Sequence, residues 1–117
     1  MRLTEITYDE GVPVEGYGPG FFRIDGQVLR GDLLVTARGA RSWGGYDDLA
    51  ALRPLVGAVD VLLVGTGAEI APLPPAFRAG LEERGIGVEN MPSPAACRTY
   101  NMLLAEGRRV ALALFAQ

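Results

Sequence analysis

No histidine and no lysine occur in the 117 residues of this chain. The first absence removes the usual general base at neutral pH and the commonest metal ligand. The second removes the Schiff-base amine and the lysine of phosphate-binding loops. All 11 positive side chains are therefore arginine, set against 14 acidic ones for a formal net charge of −3. No basic stripe emerges, so nucleic acid is not expected as a partner. A single cysteine, Cys97, excludes an internal disulfide and a cysteine cluster for zinc. No apolar run approaches the roughly 20 residues of a membrane-spanning helix. The opening MRLTEITYDE carries acids early and has no apolar signal core. These absences predict no metal, no cofactor, no direct membrane insertion and a reducing, cytoplasmic setting. They also weigh against catalysis.

What is present suits an α/β domain. Apolar residues make up 49% of the chain and glycine is abundant, a composition that can build a core rather than stay disordered. The length fits a single domain over 1–117. A chain of this size buries roughly two-thirds of its unfolded surface.

The stretch Met91–Phe115 organises the reading. Ser93 is a predicted N-cap and Pro94 suits the first helical position, where a missing N–H loses nothing. Gly107 stands where a left-handed helix stop is wanted, with Arg108 and Arg109 after it. Val110–Phe115 is almost wholly apolar, as expected of a strand covered on both faces. A second such run, Val59–Val64, ends in Gly65-Thr66-Gly67. Between the two runs, Pro72, Pro74 and Pro75 lead into a helix predicted over 75–84, stopped at Gly85. Gly87–Asn90 follows as a short strand. Strand, helix, strand, helix, strand predicts right-handed crossovers over a mainly parallel sheet.

The first third reads differently. Loose alternation predicts an edge strand over Leu3–Tyr8, and Gly11–Gly20 reads as turns. Asp25-Gly26 between Phe21–Ile24 and Gln27–Arg30 is a strong hairpin signal, because a type I′ turn needs positive φ at both central residues. Leu33–Ala37 reads as a further strand of the same small antiparallel unit. Arg38–Tyr46 reads as a loop holding the one tryptophan, Trp43. Asp47 is a predicted N-cap for a short helix with a Leu49, Leu52, Leu55 stripe, limited by Pro54.

In parallel units, ligands sit beyond the carboxyl ends of the strands. The expected cleft therefore has Gly65, Thr66 and Gly67 on one side. Ala96, Cys97, Arg98, Tyr100 and Asn101 of the last helix stand on the other. Helix N-termini offer free N–H groups, so such a cleft suits a carboxylate, a phosphate or a backbone carbonyl. It is no dinucleotide fingerprint: Ile70 stands where the third glycine belongs, and prolines follow instead of a helix. Each of these residues also has a plain structural reading. The glycines make a tight turn, and Cys97 is a buried thiol beside Ala95 and Ala96. Asn101 bridges to the loop or to the β unit, and Arg98 is solvated. Arg108 is a helix-end cation. Glu69, Glu89 and Asp60 are taken as the carboxylates nearest the cleft. Trp43 and Tyr46 form a candidate partner surface, or cover an edge of the core.

Gly16-Tyr17-Gly18-Pro19-Gly20-Phe21, a later Trp43, Val64-Gly65-Thr66-Gly67, Met91, Ala95-Ala96-Cys97-Arg98-Thr99-Tyr100-Asn101 and Glu106-Gly107-Arg108-Arg109 follow in that order. The set resembles the uncharacterised-domain family that includes the mitochondrial respiratory complex I assembly factor three and the adipogenesis-associated Mth-type domain protein. The resemblance runs over nearly the whole chain, and the helix motif together with the glycine turn is its specific part. It implies a three-layer α/β sandwich, with a mixed, mainly parallel central sheet and a small N-terminal antiparallel β unit. It also implies that the glycine turn and Cys97–Asn101 form a shared surface cleft. The eukaryotic assembly factor is a non-catalytic helper in building the complex I matrix arm. The acidic start lacks the pattern of a mitochondrial presequence, so the chain resembles a compact prokaryotic member.

Two functions follow as expectations. The first is a non-catalytic binding or assembly-factor-like protein with a protein partner, helping respiratory or membrane complex biogenesis. The alternative is a small-ligand or anion-binding domain, weakly catalytic at most, at the cleft between Gly65–Gly67 and the Pro94 helix. An open edge on the β unit is a route to a homo-oligomer.

Overall fold

A computed structural model describes residues 12–117. The strand expected over Leu3–Tyr8 lies outside the described residues. Strands β1 (Val14–Gly18), β2 (Phe21–Ile24) and β3 (Gln27–Arg30) form one antiparallel sheet in that order. Strands β4 (Leu33–Thr36), β5 (Gly39–Ser42), β6 (Val61–Thr66), β7 (Gly87–Met91) and β8 (Val110–Phe115) form a second, ordered β5-β4-β8-β6-β7. In it β6 runs parallel to β7 and β8, while β4 is antiparallel to β8 and to β5. The helices are α1 (Leu49–Leu52), α2 (Pro75–Glu82) and α3 (Ser93–Ala105).

Side-chain alternation along the strands sorts the core into two clusters. Val110, Leu112 and Leu114 of β8 join Leu33, Val35 and Leu63 on one face, under α3 and the small sheet. Ala111 and Ala113 join Leu34, Leu62 and Val64 on the other, under α1 and α2. This gives three layers, α3 with the small sheet, the mixed sheet, and α1 with α2. The connection through α2 steps outward from β6 to β7, and the one through α3 steps back past β6 to β8. For both to share one hand, the two helices must lie on opposite faces, as they do.

The hairpin forms as its turn chemistry dictates, with φ 53° at Asp25 and 75° at Gly26. The Gly26 N–H also donates to the Glu15 carboxylate of β1 at 2.7 Å.

Six local readings need correction. The run Val59–Val64 is shifted by two residues: β6 spans Val61–Thr66, so Gly65 and Thr66 are the last residues of the strand and the turn begins at Gly67. Gly11–Gly20 is not all turn, because β1 lies in it and pairs with β2 through a register irregularity between Val14 and Gly16. Gly18 serves packing, since a Cβ there would collide with the Phe21 ring, while Gly20 (φ 77°) supplies the turn into β2. Leu33–Ala37 does not join the small unit; β4 pairs with β8 from Leu33–Leu114 to Val35–Leu112. The reason is burial on both faces: Leu33, Leu34 and Val35 are all at most 3% exposed, as a strand inside a covered sheet must be. Arg38–Tyr46 is not wholly loop, since β5 lies in it, and its exposed Arg41 and Ser42 hid it from an apolar pattern. Asp47 does not cap α1. Asp48 holds that position without a capping bond, its carboxylate instead accepting from the Gly44 N–H at 2.9 Å. Ser93 does not cap α3, which starts at Ser93 itself behind Pro92. At the far end Gly107 (φ 80°) stops α3 as read, with the Arg108 N–H donating to the Leu103 carbonyl.

Candidate functional site

The carboxyl ends of β6 and β7 form a switch point, because the chain leaves β6 for α2 on one face and β7 for α3 on the other. Here the glycine turn and the start of α3 meet directly. The Ser93 N–H donates to the Gly67 carbonyl at 2.8 Å. The Gly67 N–H donates back to Ser93 Oγ at 2.8 Å, and that hydroxyl donates to the Phe115 carbonyl at 2.7 Å. Ser93 is wholly buried and follows β7 with only Pro92 between, so its hydroxyl ties the ends of β6 and β8 to the chain leaving β7. Gly65 makes the approach possible: a Cβ there would lie 2.8 Å from Ser93 Cα, Ser93 Oγ and Leu114 Cδ2.

Thr66 closes the turn beyond. Its hydroxyl donates to the Glu69 carbonyl at 2.7 Å and accepts from the Ala71 N–H at 3.0 Å. Met91 O lies 3.3 Å from the same oxygen. Asn90 extends the brace, donating Nδ2 to Ala71 O at 2.8 Å and accepting from Arg78 at 3.2 Å. The loop is thus held on both sides by backbone partners.

On the helix side, Ala96, Cys97 and Tyr100 are at most 1% exposed and belong to the core beneath α3. Burial pushes the Cys97 thiol up to about 12, with Arg98 opposing weakly. Burial likewise raises the Tyr100 phenol to about 12, and its hydroxyl donates to Val12 O at 3.3 Å. Neither group is a nucleophile or base near neutral pH. Asn101 is a bridge to the β unit. Its Oδ1 accepts from the Val14 N–H at 2.8 Å and its Nδ2 donates to the Val14 carbonyl at 2.7 Å. Arg98 is exposed and donates Nη1 to the Tyr17 hydroxyl of β1 at 2.9 Å.

The carboxylates are scattered. Asp60 precedes β6, at the opposite end of that strand from Gly65, which corrects its placement near the cleft. Arg109 holds it at 2.7 Å through Nη2. The hydrogen bond from Arg109 leads the causes that keep its carboxyl below the usual range, with the nearby charges of Arg109 and Arg108 adding. Among the described residues, no three carboxylate or thiol groups gather as a metal site requires.

Trp43 is 4% exposed, and Tyr46 is half-buried against it. Their rings pack with Phe77 and Phe115, Trp43 to Phe115 at 5.0 Å and Tyr46 to Phe77 at 4.8 Å between centroids. Burial raises the Tyr46 phenol. The functional residue that sequence reasoning misses is Ser93: a serine between Pro92 and Pro94 has the pattern of a helix cap, and nothing in that pattern marks its bonds to Gly67 and Phe115.

The profile of the family described as "Protein of unknown function (DUF498/DUF598)" matches residues 14–115. An uncharacterised protein of Rhodobacter capsulatus is 56% identical over 97% of this chain and 92% of its own length. The NADH dehydrogenase [ubiquinone] 1 alpha subcomplex assembly factor 3 of Danio rerio is 33% identical over 89% of this chain. The match covers 64% of that factor, so the chain spans less than two-thirds of it. Among solved structures, a Bartonella henselae protein described as an outer membrane protein superposes with a TM-score of 0.83 at 34% identity, covering 94% of this chain and 98% of that one. A Bordetella pertussis Mth938-like domain gives 0.78 at 29% identity, covering 99% and 92%. The ordered motifs, the three-layer fold and a profile match across nearly the whole chain lead to one conclusion: the chain belongs to the DUF498/DUF598 family, which has an Mth938-like α/β fold.

Proposed function

We propose that this chain is a non-catalytic binding protein with an assembly-factor-like role, acting on a protein partner during the building of a respiratory or membrane complex. The observation that carries the reading is its likeness to complex I assembly factor 3 over 89% of its length. The closed switch point supports it. The two backbone pieces best placed to cradle a substrate spend their polar groups on each other through Ser93. The thiol and phenol beneath them are protonated at neutral pH. No described helix is long and apolar enough to cross a membrane, so the chain would act on a complex from beside it.

The test is deletion of the gene in its own host, followed by blue-native electrophoresis of respiratory membranes. The expected result is loss of mature complex I with accumulation of a smaller intermediate, restored by the wild-type chain. Affinity-tagged chain should recover subunits of that intermediate. Normal complex I in the deletion strain would overturn the reading.

A further inference from the structure

The ladder between β4 and β8 ends at the Val35–Leu112 pair. Beyond it the tip of the β4–β5 hairpin, the residues ahead of β6 and the start of β8 surround a cavity of about 620 Å³. That volume suits a ligand of small-molecule size. Its floor is apolar, with Leu34, Ala51, Leu55, Val59 and Val110 all buried or nearly so in the fold. Its rim is cationic. Arg38 and Arg41 come from the hairpin, and Arg108 and Arg109 from the turn after α3. Four of the 11 arginines thus meet at one opening of a chain whose net charge is −3. No acidic residue among the described ones lines the cavity. Asp60 stands beside the rim and is bound by Arg109. Arg38, Arg41 and Arg108 are exposed and have no ion-pair partner among the described residues.

An apolar floor beneath unpaired guanidinium groups has a definite complement. We propose that this cavity binds an amphiphilic anion, its hydrocarbon body on the Leu34–Leu55–Val59 floor and its carboxylate or phosphate head on Arg38, Arg41 and Arg108. The guanidinium fork matches either head group, and several forks can share one. The site lies at the end of the sheet opposite the Ser93 clasp and is independent of the assembly reading.

Calorimetric titration of the folded chain with octanoate and with octyl phosphate, both below their micelle concentrations, tests this. The expected result is saturable binding of one molecule per chain, with the tighter of the two identifying the head group. Octanol and octyltrimethylammonium should bind at least tenfold more weakly, and so should inorganic phosphate. The Arg38→Gln/Arg41→Gln double variant should lose at least tenfold in affinity for the anion while unfolding at an unchanged temperature. Arg108→Gln should lose several-fold. Amide shifts on titration should centre on residues 38–41 and 108–110. Equal binding of octanol and octanoate would overturn the proposal, as would phosphate matching octyl phosphate. Undiminished binding by the double variant would overturn it too, and so would no binding by any probe.

Discussion

Ser93 ties the ends of β6 and β8 to the chain leaving β7 with one amide and one hydroxyl, so its loss is expected to cost more than that of an ordinary serine. Ser93→Ala leaves the buried Gly67 N–H and the Phe115 carbonyl unmet, an expected loss of ~2–4 kcal/mol in urea unfolding. Gly65→Ala attacks the same contact from the other side. A methyl group 2.8 Å from Ser93 Cα must move backbone, an expected loss of ~1–3 kcal/mol. Cys97 gives a kinetic check. With its thiol raised to about 12 by burial, native protein at pH 8 should react with a thiol reagent only as fast as it unfolds. The same shift has a thermodynamic sign. Above about pH 8.5–9 an unfolded chain releases the thiol proton that the folded chain retains, so stability falls with rising pH. Tyr100 adds to the fall from about pH 10 upward, since its folded value is also about 12. Cys97→Ala should remove the first part of that decline in denaturant midpoints measured from pH 7 to 11.

At the scale of elements, Asn101 fastens β1 to α3 by imitating a neighbouring strand, with one acceptor and one donor on the backbone of Val14. Asn101→Asp keeps the acceptor and sets a second carboxylate oxygen against the Val14 carbonyl. At pH 7 it should lose ~1–3 kcal/mol. The deficit should shrink as pH falls, because the carboxyl binds a proton more readily when folded, where it can donate to that carbonyl. Urea midpoints at pH 4, 5 and 7 would show it. The elements with strong periodicity or marked ends were legible in the sequence. The β2–β3 hairpin, α2, β7, α3 and β8 form within two residues of where their apolar runs, prolines and glycine stops placed them, and β6 forms two residues later than its apolar run, taking in Gly65 and Thr66. What stayed hidden was pairing. The sequence of β1 looks like turn because it carries two glycines, one of which, Gly18, admits the Phe21 ring, a contact formed only after folding. The edge strand β5 carries too little apolar character to announce itself, and β4 changes sheets because both of its faces are covered. At the candidate site, the convergence of the glycine turn on α3 followed from parallel-sheet topology. The sideways bond of Ser93 did not, since a serine between two prolines reads equally well as a cap.

For the whole molecule, the two core clusters share one sheet and should unfold together. Trp43, the single tryptophan, sits among Tyr46, Phe77 and Phe115 and reports on one of them. Its emission should be blue-shifted in the native state and move red in one transition that coincides with loss of far-ultraviolet circular dichroism. Separate transitions would show that the small sheet and α3 come apart from the rest. The central strand sets a further condition on how this fold is made. The strand that joins β4 to β6 is β8, the last described element to be synthesised, and until it emerges the antiparallel and parallel halves of the sheet have nothing between them. A nascent chain halted before Val110 therefore exposes two unsatisfied strand edges on the ribosome, where a chaperone or a neighbouring nascent chain can reach them. Threading of the final strand into that gap is what ends the exposure.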